Sequence, residues 1–254
     1  MFDFFVFIFG LVVGSFLNAA IYRLRPVSKN TKLSGRSACP NCRHTLSWYD
    51  LIPLASFLIL RGRCRYCRKS ISWQYPIVEL TTGIVWFILW QFLLFDWPVK
   101  LLYLILAADL VFIFVYDLKY YLILDKVIYL GLIAALVIVL GQTTTLGADY
   151  LFRAGAGSLI SGGLFYLLVT VSKEKWMGRG DIALGFLLGL VAPWPLVWLF
   201  LTLAFCLGAV VGVILLIFGK KKLSSQIPFA PFLITASLIT IVFGERLVGI
   251  YLRW

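Results

Sequence analysis

The chain has 254 residues, of which 62% are hydrophobic and only 13% are charged. A soluble globular domain is nearer half apolar and a quarter charged, so this composition excludes a soluble enzyme, a disordered chain and a fibrous protein. It also disfavours a transmembrane barrel, whose strands alternate polar and apolar residues. With a mean hydropathy of +0.97, we expect an all-α polytopic membrane protein. The net charge of +12 indicates that the protein contacts either nucleic acid or anionic lipid, and the placement of the charges along the chain decides between these two partners.

The apolar segments predict about eight transmembrane helices. The first, 2–21, lacks a basic segment before it and is long enough to cross a hydrocarbon core of ~30 Å, which argues against a cleavable signal peptide. Segment 182–191 is too short to cross alone, and the Pro-Trp-Pro turn after it favours a short helix buried among its neighbours. The predicted spans after the first are 77–95, 101–116, 127–140, 151–171, 182–191, 196–218 and 230–243.

Lysine and arginine concentrate in the loops on one side of this topology. Of the 23 basic residues, 19 lie in the loops that follow spans one, three, five and seven. The positive-inside rule makes that side cytoplasmic and predicts that both termini face outward. Topology and attraction to anionic membrane lipid therefore explain the basic charge, and no nucleic-acid partner is required. The four basic residues on the other side are Lys100, Arg153, Arg246 and Arg253.

A polar, basic stretch interrupts the apolar sequence after the first span. We expect residues 1–22 to form that span, 23–76 a small cytoplasmic domain, and 77–254 a multi-span domain. Within the small domain, the apolar run 51–60 is too short to cross a bilayer and predicts packing onto the membrane surface. The chain shows no convincing internal repeat.

Four cysteines form two C-x2-C pairs, with 21 residues between the pairs. Each pair can present two thiolates to one tetrahedral ion, so the spacing predicts a structural zinc site. A domain this small has little core, and a bound metal would stabilise it. Disulfides and free thiols are the alternatives, but cytoplasmic thiols stay reduced. The predicted ligands are Cys39, Cys42, Cys64 and Cys67.

Two of the eleven acidic residues stand out by position. Asp117 lies at the cytoplasmic end of the third span, and Asp181 lies at the cytoplasmic start of the sixth, in Gly178-Arg179-Gly180-Asp181. Two neighbouring carboxylates share a proton, so that one can accept a proton from water while the other donates one to a substrate. The single histidine, His44, lies among the cysteines, which makes a Ser-His triad improbable. Helix capping and interfacial charge pairs remain the alternative.

Two other acids lie inside apolar stretches, Asp109 and Glu79. Intramembrane acids mark functional sites, and a transporter would use them as ion relays. Asp109 is more simply explained by a hydrogen bond between helices. The remaining acids, including Asp50, lie in loops or at helix ends, where solvation explains them.

Along nearly its whole length the chain resembles the bacterial type IV prepilin leader peptidases, also called leader peptidase/N-methyltransferases. The resemblance rests on Gly14-Ser15-Phe16-Leu17-Asn18, the cysteine segments with Arg61-Gly62-Arg63, Tyr75-Pro76-Ile77-Val78-Glu79-Leu80, Asp117 with Asp125, Gly178-Arg179-Gly180-Asp181, and Ile227-Pro228-Phe229-Ala230-Pro231-Phe232. Each motif is weak by itself, but their order and topology are specific.

The resemblance implies an inner-membrane aspartyl protease that removes the basic leader from prepilins and pseudopilins at the cytoplasmic face. Many such enzymes then methylate the new N-terminus with S-adenosylmethionine. Carried onto this chain, the catalytic residues are Asp117 and Asp181. The resemblance gives supporting roles to Asp125, Gly178 and Gly180, and places Gly62 in the region associated with methyl transfer.

Three positions depart from the family pattern: Leu124 where proline is usual, Ala183 where lysine is usual, and Ala230 where glycine is common. None removes a predicted catalytic carboxylate. The missing lysine changes the charge near Asp181, where Arg179 or Lys175 could substitute. A peptidase without methyltransferase activity, a transporter and a non-enzymatic assembly scaffold are the alternative functions.

Overall fold

The computed structural model describes residues 2–26, 35–218 and 227–251. The loop charges counted above include Lys29, Lys32, Lys220, Lys221, Lys222 and Arg253, which lie outside these residues. Within them, the chain forms α-helices joined by short loops, with a single 3-10 turn at Trp48–Leu51. The helices are α1 (Phe2–Arg23), α2 (Ala55–Ile59), α3 (Gln74–Phe92), α4 (Trp97–Tyr120), α5 (Asp125–Leu146), α6 (Ala148–Ser172), α7 (Arg179–Val191), α8 (Leu196–Ile217) and α9 (Ala230–Tyr251).

Seven of the described helices, all except α2 and α7, are long and apolar enough to cross a membrane. The all-α membrane fold is therefore confirmed. Helix α7 corresponds to the short predicted segment. It begins at Arg179 and has 13 residues, so it extends ~20 Å at ~1.5 Å per residue, less than the hydrocarbon thickness.

The chain divides into two compact units, Met1–Leu94 and Phe95–Trp254. This division assigns α3 to the same unit as α1, whereas the sequence suggested a boundary before it. In the first unit α1 and α3 pack closely, because Gly14 brings the two backbones together: a Cβ there would lie 2.7 Å from the Cα of Glu79. At the cysteine end of this hairpin the Asn18 amide donates to the carbonyl of Tyr75 (3.1 Å).

In the second unit the helices alternate in direction, so that their termini collect at two ends. One end, which we call the carboxylate end, contains the last turn of α4 and the first residues of α7 and α9. There the Asp117 carboxylate accepts a hydrogen bond from the backbone N–H of Ala230 and lies within electrostatic range of Asp181.

At the opposite end the start of α4 meets the end of α5, where the Gln142 amide donates to the hydroxyl of Tyr103 (3.0 Å). The turn after α7 reaches the first turns of α6, because the Trp194 backbone N–H donates to the carbonyl of Arg153 (3.0 Å). Helix α7 with its following turn therefore connects the two ends of the unit despite its length.

The short α7 is buried by its neighbours. Leu184, Leu187 and Leu188 have no exposed surface. Its Gly189 permits close approach to α6, since a Cβ there would lie 2.5 Å from the carbonyl oxygen of Gly157. This confirms the prediction of a short helix whose length is set by protein neighbours instead of lipid. In contrast, only 17% of the most apolar stretch of α8 is buried, as expected for a helix with a lipid-facing surface.

Candidate active site and metal centre

Asp117 lies in the last turn of α4. The helix ends because Tyr121 adopts a left-handed backbone conformation (φ 55°), with its N–H donating to the carbonyl of Asp117 (2.8 Å). The Asp117 side chain points into the unit, where the residue is only 6% exposed. A buried carboxylate needs hydrogen-bond donors, and the N-terminal N–H of Ala230 in α9 supplies one.

Asp181 is the third residue of α7 and is 7% exposed. Its Oδ2 accepts a hydrogen bond from the backbone N–H of Gly178 (3.1 Å), the residue that caps the helix. The partial positive charge of a helix N-terminus also favours a carboxylate here. The sequence Gly178-Arg179-Gly180-Asp181 therefore fixes the carboxylate by starting a helix two residues before it, after the cap at Gly178.

The fold brings Asp117 and Asp181 together, although 63 residues separate them along the chain. Both are buried, and each accepts a backbone hydrogen bond. In general, neighbouring carboxyl groups in an apolar site disfavour a state in which both are ionised. Such a pair can accept a proton from water and donate one to a leaving group.

The two glycines of the motif have different surroundings. Gly180 packs against the loop before α5, where an added Cβ would lie 3.0 Å from the Cβ of Ile123. Gly178 has open space around it and a φ of −85°, so neither crowding nor backbone conformation requires glycine at that position. Asp125 begins α5 just after this loop and is exposed.

The departures from the family pattern do not disturb these contacts. Ala230 acts through its backbone N–H, which any residue except proline can provide. Leu124 precedes α5 in an extended conformation (ψ 120°), as a proline would. Arg179 does not replace the missing lysine by pairing with Asp181, since its guanidinium contacts the Glu174 carboxylate (2.6 Å).

The four predicted metal ligands lie together in the first unit. Their Sγ atoms are all within 4.8 Å of one another, and the Sγ atoms of Cys39 and Cys67 are 3.9 Å apart. Tetrahedral coordination with ~2.3 Å metal–sulfur bonds requires about this spacing. The four thiols can therefore hold one metal ion. Burial raises the pKa of the Cys39 thiol, but hydrogen bonds from the backbone N–H groups of Cys42 and Asn41 lower it to about 7.

The two cysteine pairs form matching turns. In each, the N–H of the first cysteine donates to the carbonyl five residues later, His44 or Lys69, at 3.0 and 2.9 Å. In each, the residue after the second cysteine, Arg43 or Arg68, has a φ near 60°. The segments 37–47 and 62–72 thus repeat one backbone pattern 25 residues apart. The sequence analysis found no repeat, although the repeated C-x2-C-Arg spacing carries the signal.

Asp50 connects the two turns. Its carboxylate pairs with the guanidinium of Arg65 (2.8 Å) and accepts a hydrogen bond from the backbone N–H of Ser47 (3.3 Å). Its side chain is only 2% exposed. The interpretation of Asp50 as a solvated loop acid is therefore wrong, because this carboxylate stabilises the metal module from inside.

Glu79 and Asp109 differ in their contacts. Glu79 accepts hydrogen bonds from the backbone N–H of Leu54 (2.9 Å) and the hydroxyl of Ser15, so it holds the cysteine module against the α1–α3 hairpin. Asp109 packs against Gly131 of α5. Its Oδ2 has no hydrogen-bond partner in the described part of the chain, so this atom makes none of the interhelical bonds expected of it.

Fold and site together define an α-helical multi-pass membrane protein with a paired carboxylate site in one unit and a four-cysteine metal module in the other. Two family models match the chain: the Bacterial Peptidase A24 N-terminal domain over residues 8–93 and the Type IV leader peptidase family over residues 101–213. The chain belongs to the type IV leader peptidase family.

Several relatives match over nearly the whole chain. A prepilin leader peptidase/N-methyltransferase of Pseudomonas aeruginosa is 32% identical over 271 residues, covering 96% of this chain and 91% of the relative. A protein of the same name from Legionella pneumophila is 31% identical, covering 97% of this chain and 93% of the relative. Another from Myxococcus xanthus is 35% identical, covering 85% of this chain and 64% of the relative. No solved structure matches the chain.

The cysteine geometry predicts about one metal ion per purified chain. Replacing Cys64→Ser removes a ligand and should lower the bound metal severalfold, as measured by elemental mass spectrometry. Cys206→Ser is the matched control, because Cys206 lies in α8 of the second unit and is not one of the four clustered cysteines. Metal-free wild-type protein, prepared without chelators, would contradict the assignment.

Proposed function

We propose that this protein is a membrane aspartyl endopeptidase that removes the basic leader peptide from type IV prepilins and pseudopilins. The observation that carries the proposal is the buried pair Asp117 and Asp181 at the carboxylate end of the second unit. Membership in the leader peptidase family and the names of its relatives support it.

The mechanism uses both carboxyl groups. The apolar helix of the substrate lies in the bilayer, with its leader in water, so the scissile bond is at the depth of helix termini such as those that hold the pair. The ionised carboxylate accepts a proton from water as the water oxygen attacks the carbonyl carbon. The protonated carboxyl donates its proton to the departing amine, which leaves the pair ready for another cycle. Neither step needs a metal, consistent with a four-cysteine site that leaves no coordination position open.

The positive-inside rule supports a cytoplasmic location for both the cysteine module and the carboxylate end in a bacterial inner membrane. Basic residues are concentrated in residues 23–76. Lys119 lies two residues after Asp117, and Lys173 and Lys175 lie shortly before Asp181. Lys175→Cys, introduced with Cys206→Ser, should react with a membrane-impermeant maleimide only after the cells are opened, and more strongly than the Cys206→Ser protein, which keeps the four module thiols. Labelling in intact cells would contradict this orientation.

Zn²⁺ is the metal that we assign to Cys39, Cys42, Cys64 and Cys67. Four thiolates in tetrahedral geometry favour zinc over magnesium or calcium, which prefer oxygen ligands. The ion would stabilise the module by joining its two turns, and Asp50 would assist from the interior.

N-methylation of the new N-terminus is the second activity that we propose, because the relatives' names include it. Gly62 is the position that we assign to the methyl-transfer region. The cavity beside Gly62, however, is lined by Arg61 and Arg63, and none of its described lining residues is acidic. S-adenosylmethionine carries a net positive charge, so this lining does not fit it, and we derive no step through the methyl donor.

The carboxylate pair is tested by Asp117→Asn and Asp181→Asn. Each change removes a group that must accept or donate a proton, and we expect cleavage of a model prepilin to fall by ~10²-fold or more. Cleavage is measured in reconstituted membranes by mass spectrometry.

Asp149→Asn is the matched control, since Asp149 is an exposed acid in the first turn of α6, at the opposite end of the unit. It should cleave like the wild type. If either carboxylate variant retains activity within a few-fold of the wild type, the proposed mechanism is wrong.

Methylation is tested separately with Gly62→Ala. Gly62 has a φ of 66°, and an added Cβ would lie 3.2 Å from the ring of Phe57, so the local backbone must shift. Because the basic cavity lining does not fit the methyl donor, this variant tests only whether the backbone turn at Gly62 supports methylation. We expect a smaller methylated fraction of the cleaved product while cleavage continues, which intact-mass measurement detects. Gly35→Ala is the control, because Gly35 also has a positive φ but no neighbour within 4 Å. Full methylation of the product by the Gly62→Ala variant would contradict the assignment of Gly62 to the methyl-transfer region.

A further inference from the structure

An open cavity of about 720 Å³ in the first unit lies beside the second cysteine turn. It is large enough for the polar part of a lipid or a small ligand. Its walls come from the end of α2, the turn at Gly62 and the residues before α3. The proposed peptidase chemistry does not use it.

Charge favours an anion in this cavity. Arg61 and Arg63 both line it and are exposed, and neither has an ion pair within the described part of the chain. The hydroxyls of Ser70 and Ser72 add hydrogen-bond donors. Arginine binds phosphate oxygens well, because its planar group can donate two parallel hydrogen bonds.

The position of the cavity favours a lipid as the source of that anion. Trp73 lines the cavity and is the residue immediately before α3, a candidate membrane span. Tryptophan is typical of the membrane–water interface, and Trp73 is 69% exposed. At this depth the phosphate groups of the bilayer are the most abundant anions.

An apolar surface adjoins the charged one. Leu58 lines the cavity and is 72% exposed, and its neighbour Ile59 is 76% exposed. Exposing large aliphatic side chains to water is unfavourable, whereas acyl chains would cover them. One cavity therefore combines cations for a headgroup with aliphatic surface for the top of a lipid chain.

We infer that this cavity is a binding site for the headgroup of an anionic glycerophospholipid, with Arg61 and Arg63 contacting the phosphate and Leu58 and Trp73 contacting the glycerol and upper acyl region. The lipid would fix the cysteine module at the membrane surface next to the start of α3. This site is independent of the carboxylate pair, so the inference does not rest on the proposed peptidase activity.

The test places a photo-crosslinking amino acid, benzoylphenylalanine, at position 58 of the full-length protein in lipid nanodiscs. Crosslinked lipid is identified by mass spectrometry in discs of phosphatidylcholine with added phosphatidylglycerol. We expect adducts with phosphatidylglycerol well above its share of the lipid. The double change Arg61→Gln and Arg63→Gln should reduce this enrichment by about fivefold for each arginine lost.

Arg68→Gln with Lys69→Gln is the matched control. It removes the same charge from the same module, but neither residue lines the cavity. Metal content, measured on each variant, shows whether the module is folded. Adducts in proportion to bulk lipid, or equal loss of enrichment in both double variants, would overturn the inference.

Two soluble competitors separate the remaining sources of the anion. Excess inorganic phosphate should leave the lipid adduct unchanged, because a free anion lacks the apolar contacts. Excess S-adenosylhomocysteine should also leave it unchanged. Suppression by phosphate would make the cavity a general anion site, and suppression by S-adenosylhomocysteine would make it a methyl-donor site; either result overturns the lipid assignment.

Discussion

The cost of burying two carboxyl groups next to each other is the constraint on which the site depends. An apolar bundle disfavours an ionised carboxylate that lacks hydrogen-bond donors, and two such groups repel each other. The second unit meets this cost with backbone donors at helix starts: the N–H of Ala230 for Asp117 and that of Gly178 for Asp181. In the mechanism that we propose, repulsion between the two groups favours one proton on the pair, so that the site has both an acid and a base.

The alternating helices of the second unit follow from the same requirement. The hydrogen-bond donors are backbone N–H groups at the starts of α7 and α9. The last turn of α4, which contains Asp117, must therefore lie at the same end of the unit as these two helix starts. The short α7 satisfies this because its neighbours bury the face that contains Leu184, Leu187 and Leu188, and its Gly189 lets α6 approach. A longer helix exposed to lipid could not bury Asp181 inside the unit and also pack this closely against α6.

The first unit solves a different problem, the stability of a small polar module with little core. Its two cysteine turns repeat one backbone pattern, and Asp50 joins them through Arg65. Glu79 then ties the module to the α1–α3 hairpin through the backbone of Leu54. Buried acids thus have structural roles in this unit and, as we propose, a chemical role in the other. The acids with structural roles and the acids with the proposed chemical role are buried to a similar extent, so only their interaction partners distinguish them.

The sequence alone determined the membrane class and predicted the clustering of four cysteines and the candidate pair of aspartates, because hydropathy, C-x2-C spacing and helix-terminal acids are local patterns. It also indicated that the segment ending at Val191 was too short to cross by itself. Tertiary structure decided what depends on distant partners: the donation from Ala230 to Asp117, the packing of Ile123 on Gly180, and the burial of Asp50. A backbone N–H leaves no mark in the side-chain sequence, and a loop acid looks solvated until the fold covers it.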